Sequence, residues 1–182
     1  MQEYGKGSSL KEEYPTGIAG ITVRPVREGE EGLVLHFIRA IAAYEKMSDC
    51  VIATEEGLQK AIFGQHACNV LFVEEKGEPV GFCLYFHTFS TFCGKTNLYL
   101  EDLFLNEEVR GRGIGRAVFR ILMEIALEEG CERFEWACLD WNAPSIAFYR
   151  KMGASPMSDW TTWRMTAEDM RKQCERGRKE RD

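Results

Sequence analysis

Residues 98–115 read Leu-Tyr-Leu-Glu-Asp-Leu-Phe-Leu-Asn-Glu-Glu-Val-Arg-Gly-Arg-Gly-Ile-Gly, and this stretch decides the fold. Residues 98–105 have the apolar character of a strand, with two adjacent carboxylates, Glu101 and Asp102, in its middle. A glycine-rich turn follows, and an amphipathic segment begins directly after it. A strand, a turn and a helix in this order predict an anion site, because the first amides of a helix have no partner within the helix.

The segment after the turn has the pattern of a helix that ends at Gly130. Its apolar residues recur at helical spacing and predict one buried stripe, formed by Ile114, Ala117, Val118, Ile121, Leu122 and Ile125. The charged residues of this segment fall on the wetter side of the helix; they are Arg116, Arg120 and Glu124.

The turn itself favours a phosphate ligand. Gly111, Gly113 and Gly115 allow the backbone to approach a ligand without side-chain collision, and Arg110 and Arg112 add donors suited to phosphate. Neither the dinucleotide fingerprint nor the triphosphate-binding loop is present in the sequence of this turn. The pattern therefore favours the pyrophosphate of another cofactor.

Composition and charge exclude several classes of protein. The chain is 45% hydrophobic and 29% charged, as expected for an ordinary globular domain. A net charge of −6 argues against a nucleic-acid partner. No apolar run reaches membrane-spanning length, and the first residues contain no apolar signal core. We expect a loosely held arm over 1–20, one domain over 21–170 and a solvated tail over 171–182.

The cysteines and histidines indicate neither disulfides nor a metal site. The seven cysteines are odd in number and contain no C-x-x-C pair, which favours free thiols in a reducing cytoplasm. The three histidines make no ligand spacing, so the sequence predicts no metal. A cysteine nucleophile is also disfavoured, because no histidine accompanies Cys83, Cys93 or Cys138 in a recognisable pattern.

Hydrophobic periodicity predicts a mixed α/β (α+β) fold, with helices on both faces of one sheet. The predicted strands are Ile21–Val26, Asn69–Glu75, Val80–Phe89, Thr96–Leu105 (the central strand), Arg133–Leu139 and Trp160–Thr166. The predicted helices, besides the one that ends at Gly130, run from Leu33 to about Lys46, from Thr54 to Gly64, from Asn142 to Met152, and from Glu168 onward.

Glu101 and Asp102 are the first candidates for chemistry. A charge within an apolar strand is costly unless it is paired or faces a ligand. Simple alternation sends the two side chains to opposite faces of the sheet, whereas a bulge would bring both to one side. Partial burial would raise the pKa of a carboxylate toward a value useful for a base. The alternative is an exposed pair or a structural ion pair.

Further candidates lie at the ends of predicted helices. Asn142, Ser145 and Tyr149 share one helix face, and the phenol could donate a proton; the alternative is an N-cap followed by a core aromatic. Glu45 ends a helix, where its charge opposes the dipole, so it is a candidate ligand. Tyr44 and Trp163 are candidates that could equally be core residues.

Taken together, these motifs resemble the acetyl-CoA pyrophosphate motif and its surroundings in the GNAT N-acetyltransferase superfamily, and within it the diamine (spermidine/spermine, thialysine) acetyltransferase group. The resemblance covers about residues 21–166. The sequences that carry it are Ala43-Tyr44-Glu45-Lys46-Met47, Gly81-Phe82-Cys83-Leu84-Tyr85-Phe86, Tyr99-Leu100-Glu101-Asp102, Arg110-Gly111-Arg112-Gly113-Ile114-Gly115, Trp141-Asn142-Ala143-Pro144-Ser145-Ile146-Ala147-Phe148-Tyr149 and Gly153-Ala154-Ser155.

The resemblance implies a mostly antiparallel sheet, splayed between its two middle parallel strands, and a role for each candidate. Acetyl-CoA would be held by the backbone of Leu103, Phe104 and Leu105, by Arg110, Gly111, Arg112, Gly113, Ile114 and Gly115, and by Asn142 and Ser145. Tyr149 would protonate the departing thiolate, and Glu101 would help to remove the substrate proton. Tyr44, Glu45, Asp102 and Trp163 would line the amine pocket.

The implied activity is acetyl transfer to a small primary amine, such as a diamine, a polyamine or a lysine-like molecule, by a homodimer that needs no metal. Thr161 stands two residues before Trp163, where polyamine acetylases have an acidic residue. Its absence weakens the case for a long polyamine and leaves shorter amines and amino-acid side chains open. The alternatives are a protein, peptide or antibiotic amine, or an acyl-CoA-binding module without chemistry.

Overall fold

The computed structural model describes residues 10–179, and the chain divides between Leu139 and Asp140 into two compact units. The first unit contains strands β1 (Tyr14–Pro15), β2 (Ile21–Pro25), β3 (Asn69–Glu75), β4 (Glu78–Ser90), β5 (Lys95–Leu105) and β6 (Phe134–Trp136), with helices α1 (Glu31–Tyr44), α2 (Glu55–Gln59) and α3 (Ile114–Glu128). The second unit contains helices α4 (Ala143–Lys151) and α5 (Ala167–Lys179). The sequence predicts one domain over 21–170, and that boundary stays a prediction.

The strands form one six-stranded sheet in the order β1-β2-β3-β4-β5-β6. All neighbours are antiparallel except β5 and β6, which are parallel. The β3–β4 hairpin turns at Lys76 and Gly77, which both have positive φ angles (54° and 86°). This confirms the predicted mixed sheet. β5, predicted as the central strand, lies next to the edge.

Helices pack on both faces of the sheet, as predicted. On one face, the ring of Phe37 in α1 stacks on Phe82 of β4 with a centroid distance of 5.5 Å. On the other face, Phe119 of α3 contacts Phe134 and Trp136 of β6. All six residues of the predicted stripe of α3 are buried, so its amphipathic pattern correctly identifies the face that packs on the sheet.

The strand predicted over 160–166 does not form. This segment has no regular secondary structure, and Trp160 and Trp163 are 73% and 90% exposed. Its Thr and Trp residues favour a strand, but a strand also needs a hydrogen-bonded neighbour, and no strand of the described sheet pairs with it. β6 is likewise shorter than the predicted Arg133–Leu139, because its pairing with β5 ends at Trp136.

The predicted N-terminal arm is partly wrong. Tyr14 and Pro15 pair with Val23 and Thr22 at the edge of the sheet, and Tyr14 is only 5% exposed. Burial of the tyrosine ring stabilises a segment whose polar composition predicts a loose arm. Residues 1–9 of the predicted arm and 180–182 of the predicted tail lie outside the described residues. None of the described helices is both long enough and apolar enough to cross a membrane.

Candidate active site

A β-bulge interrupts β5 at the two carboxylates. Leu84 pairs with Asp102 and Tyr85 pairs with Leu100, so Glu101 is an extra residue without a partner on β4. Because cross-strand partners share a face, Asp102 lies on the α1 face of the sheet with Leu84, whereas Leu100 lies on the α3 face with Tyr85. The bulge thus changes the alternation at the position where the sequence left both arrangements open.

Three carboxylates are clustered where β5 meets the end of α1. Glu45 is the C-cap of α1, and its pKa is raised by burial and by the charge of Glu101. Burial, with the charges of Glu101 and Glu45, raises the pKa of Asp102 to about 6. Neighbouring like charges repel one another unless a proton or a cation lies among them. The cluster is therefore suited to a cationic ligand.

The carboxyl group with a pKa of about 6 is that of Asp102, which the resemblance places in the amine pocket and not in the role of base. Asp102 is half-buried, whereas Glu101 is exposed. The alternation of β5 alone does not predict this difference, because it depends on the bulge and on the packing of α1.

Arg110 packs against two aromatic rings. Its guanidinium lies 5.4 Å from the ring centroids of both Tyr44 and Phe104, and its Nε donates a hydrogen bond of 2.8 Å to the carbonyl oxygen of Leu105. Tyr44 is 37% exposed, so the alternative of a core tyrosine is wrong. The arginine connects the glycine-rich turn to the end of α1, a contact that no sequence spacing indicates.

Arg112, the second arginine of the turn, pairs with Glu75 of β3 at 2.6 Å. Both guanidinium groups of the turn are therefore bound to the protein itself in this structure. We predicted them as phosphate donors, and that role remains a prediction. The backbone of the turn is the other candidate for anion binding.

The glycine-rich turn leaves the start of α3 accessible. Gly111 and Gly113 have φ angles of 75° and 83°, which favour glycine strongly. Gly113 is the N-cap of α3, and no side chain caps the helix. A Cβ atom at Gly111 would meet nothing within 4 Å, and one at Gly115 would meet only Leu105, at 3.8 Å. The positive φ angles account for Gly111 and Gly113, whereas neither backbone conformation nor packing within the described chain requires glycine at position 115.

Beyond Leu100, β5 no longer has β6 as a neighbour. β6 pairs with residues 98–100 of β5 and then ends, so among the described strands residues 102–105 pair with β4 only. On the β4 side the approach is very close, because a Cβ atom at Gly81 would lie 2.4 Å from the carbonyl oxygen of Phe104. The other edge of this segment is the one to which the resemblance assigns the pantetheine arm.

The remaining candidates lie in the second unit. Asn142 is 6% exposed and caps α4, where its Oδ1 accepts a hydrogen bond of 3.3 Å from the amide of Ser145. This confirms the predicted N-cap. Tyr149 is half-buried and lies on the same helix, with its ring edge-on to Phe148. Trp163 follows α4 in the irregular segment. The catalytic and binding roles of these residues stay predictions.

The bulged, acidic strand and the uncapped glycine turn are two of the elements on which the resemblance to acetyltransferases rests. A sequence profile of the acetyltransferase (GNAT) family matches residues 36–154, which includes all of these elements. The chain belongs to the GNAT acetyltransferase family.

Particular relatives extend this result. The chain is 37% identical to a thialysine N-epsilon-acetyltransferase of Sus scrofa, over 85% of this chain and 97% of the relative. It is 34% identical to the enzyme of the same name in Caenorhabditis elegans, over 72% and 83%. Among solved structures, an integron cassette protein of V. cholerae superimposes with a TM-score of 0.71 at 25% identity, over 86% of this chain and 99% of that chain.

Proposed function

We propose that the chain transfers an acetyl group from acetyl-CoA to the terminal amine of a small cationic substrate, with lysine-like amino acids as the favoured class. The observation that carries the proposal is the cluster of Glu45, Glu101 and Asp102 beside the bulged strand. The thialysine acetyltransferases are similar to this chain over most of their own length. This similarity supports an amino acid with a terminal amine as the substrate.

The residues of the turn fit a pyrophosphate. The first-turn amides of α3 have no side-chain cap, and the helix dipole favours an anion at this end. The surfaces above Gly111 and Gly115 are open enough for backbone approach. Residues 103–105 would pair with the pantetheine arm along the free edge of β5, and Asn142 and Ser145 would contact the cofactor as the resemblance implies. Acetyl-CoA, when bound, supplies the acetyl group as a thioester.

The acidic cluster would bind the substrate ammonium and remove its proton. At neutral pH the amine is protonated and cannot attack a carbonyl carbon, so a group with a pKa near 7 must accept the proton. Asp102, with a pKa of about 6, is placed closer to this requirement than an ordinary carboxylate. Glu101, one residue away, would help to remove the proton directly or through water, as the resemblance implies.

Direct attack by the amine needs no enzyme nucleophile. Cys83 is fully buried, and burial raises the pKa of its thiol to about 12, so it stays protonated. Tyr149 would hold the proton that the leaving sulfur takes up. Holding the amine and the thioester in the reactive orientation would lower the activation barrier, by about 7–11 kcal/mol in well-oriented systems.

Calorimetry with CoA, followed by a thiol-release assay over a panel of amines, tests the proposal. The panel contains thialysine, lysine, ornithine, a diamine, spermidine, an aminoglycoside and a peptide, with norleucine as the matched control that lacks a terminal amine. We expect the highest kcat/KM for the amino acids with a terminal amine. Asp102→Asn should lower that value, whereas Glu12→Gln, which changes an exposed carboxylate of the N-terminal segment, should not.

The outcomes separate the parts of the proposal. Absence of CoA binding contradicts the cofactor assignment. CoA binding without turnover of any amine would support the non-catalytic alternative. Turnover that is fastest with the aminoglycoside or the peptide contradicts the substrate class and leaves the acetyl transfer intact.

A further inference from the structure

A cluster of metal-ligand side chains lies on the α3 face of the sheet, away from the acidic site. His87 of β4, Glu129 at the C-cap of α3 and Cys131 each offer a ligand atom, and these atoms all lie within 4.8 Å of one another. Nε2 of His87 and Oε2 of Glu129 are 2.7 Å apart. Residue 87 is far in the sequence from residues 129 and 131, so the spacing of the histidines does not predict this cluster.

An unpartnered buried hydroxyl adjoins the cluster. Tyr85 is fully buried, and its Oη has no hydrogen-bond partner in the described structure. The ring of Tyr85 lies edge-on to that of His87, with centroids 6.1 Å apart, and burial, together with the charge of Glu129, raises the pKa of the phenol. A buried polar atom without a partner is rare, and a water molecule bound to a metal would supply one.

The surroundings of Glu129 also favour a cation beside its carboxylate. Its side chain is only 10% exposed, and it lies at the negative end of α3, where a carboxylate is unfavourable. Protonated His87 would satisfy it, and so would a divalent ion. The half-buried sulfur of Cys131 in the same cluster favours the divalent ion. Nitrogen, sulfur and oxygen atoms are the ligands that zinc takes in proteins.

We propose that His87, Glu129 and Cys131 form a zinc site with a fourth position open to water beneath the hydroxyl of Tyr85. Tetrahedral zinc separates its ligand atoms by about 3.4–3.6 Å, so small side-chain rotations would open the histidine–glutamate contact and draw in the sulfur. Binding would release the thiol proton of Cys131 to solvent.

The site would connect the end of α3 to β4. It lies at the opposite end of the helix from the glycine-rich turn, about 22 Å away along a helix of this length. The site is therefore independent of the proposed acetyl transfer, and its expected effect is on the stability of the fold. A metal that binds the folded chain alone stabilises it by mass action.

Titration of the metal-free protein with Co²⁺, and then with Zn²⁺, tests this site. We expect one equivalent of cobalt to give a thiolate-to-cobalt charge-transfer band that zinc displaces, and zinc to raise the Tm. Cys131→Ser should abolish the band, and His87→Gln, which keeps a donor for Glu129, should weaken cobalt binding at least tenfold. The matched controls are Cys50→Ser and His66→Asn, which change exposed residues outside the cluster.

A band that persists in Cys131→Ser, or that disappears in Cys50→Ser, would overturn the proposal. Failure of wild-type protein to bind one equivalent of either metal would overturn it too. Because the variants could lower the Tm without metal, the comparison uses the zinc-dependent change in Tm of each variant. A change that is equal in wild type and Cys131→Ser contradicts the site.

Discussion

The surroundings of Asp102 determine the pKa of its carboxyl group. The sequence places a carboxylate in an apolar strand, but the packing of α1 and the neighbouring charges of Glu101 and Glu45 raise its pKa to about 6. The same burial makes the ionised form unfavourable in the folded state. A residue suited to proton transfer is therefore one that destabilises the fold at neutral pH.

Asp102→Asn is expected to stabilise the protein above pH 6. The native pKa is higher than the ordinary value of 3.8, so the folded state binds more protons than the unfolded state between these values. Hence the free energy of unfolding of the wild type falls as pH rises from about 4 through 6. The variant should be more stable at pH 8 by about 1–3 kcal/mol, and the difference should vanish at pH 3.5, as measured by urea denaturation.

Asp169→Asn is the control, because it should change the free energy of unfolding at pH 8 in the opposite direction. Hydrogen bonds from Thr166 lower the pKa of Asp169, so this variant should lose stability at pH 8 and approach the wild type at low pH. An Asp102→Asn variant that is less stable than wild type at pH 8 contradicts the assignment of its burial.

Tyr149→Phe is expected to lower kcat by about 10²-fold or more, with a smaller change in KM for acetyl-CoA, because the phenol would act on the leaving sulfur only during the reaction. Steady-state kinetics with a favoured amine measures this. Tyr14→Phe, which changes a buried tyrosine at the sheet edge, is the control. Equal losses in kcat for both variants would mean that Tyr149 is merely structural.

At the level of elements, the proposed site depends on both the bulge in β5 and the turn before α3. The bulge inserts Glu101 and places Asp102 on the α1 face, while the early end of β6 leaves the edge of residues 101–105 without a neighbour among the described strands. The turn then presents uncapped amides. Each element departs from regular structure at a position where a ligand would bind.

The two ends of α3 offer a matched test of the turn. Gly113 and Gly130 have φ angles of 83° and 72°, so alanine at either position should strain the backbone by about 1–2 kcal/mol. Only Gly113→Ala should weaken CoA binding, by at least tenfold, since strain at this position would distort the turn that presents the first amides of α3, whereas Gly130 follows the other end of the helix. Calorimetry measures this, and an equal loss of affinity in Gly130→Ala would assign the effect to stability alone.

At the scale of the molecule, we propose a homodimer, as the resemblance implies. Large apolar side chains of the second unit are exposed, among them Met157, Trp160 and Trp163. Exposed apolar groups of this size favour association. Sedimentation at micromolar concentration should give twice the chain mass of 20.8 kDa, and Trp163→Glu should shift the equilibrium toward monomer. A monomeric wild type at these concentrations contradicts this prediction.

Periodicity and turn chemistry in the sequence were sufficient to predict most of the described helices and strands. The apolar stripe of α3, the N-caps Thr54 and Asn142 and the β3–β4 hairpin all depend on neighbours within a few residues, so local patterns predict them. The predicted strand over 160–166 is wrong, because a local pattern does not show whether a partner strand pairs with the segment.

The amino-acid sequence by itself determined the family, the glycine turn and the identity of the acidic residues, since these depend on residue type and short spacing. Only the tertiary structure decided that Asp102 has the raised pKa, that Arg110 stacks on Tyr44, and that His87 meets Cys131. The physical reason is that burial, charge proximity and ligand geometry arise between segments distant in the chain, where no local pattern reports them.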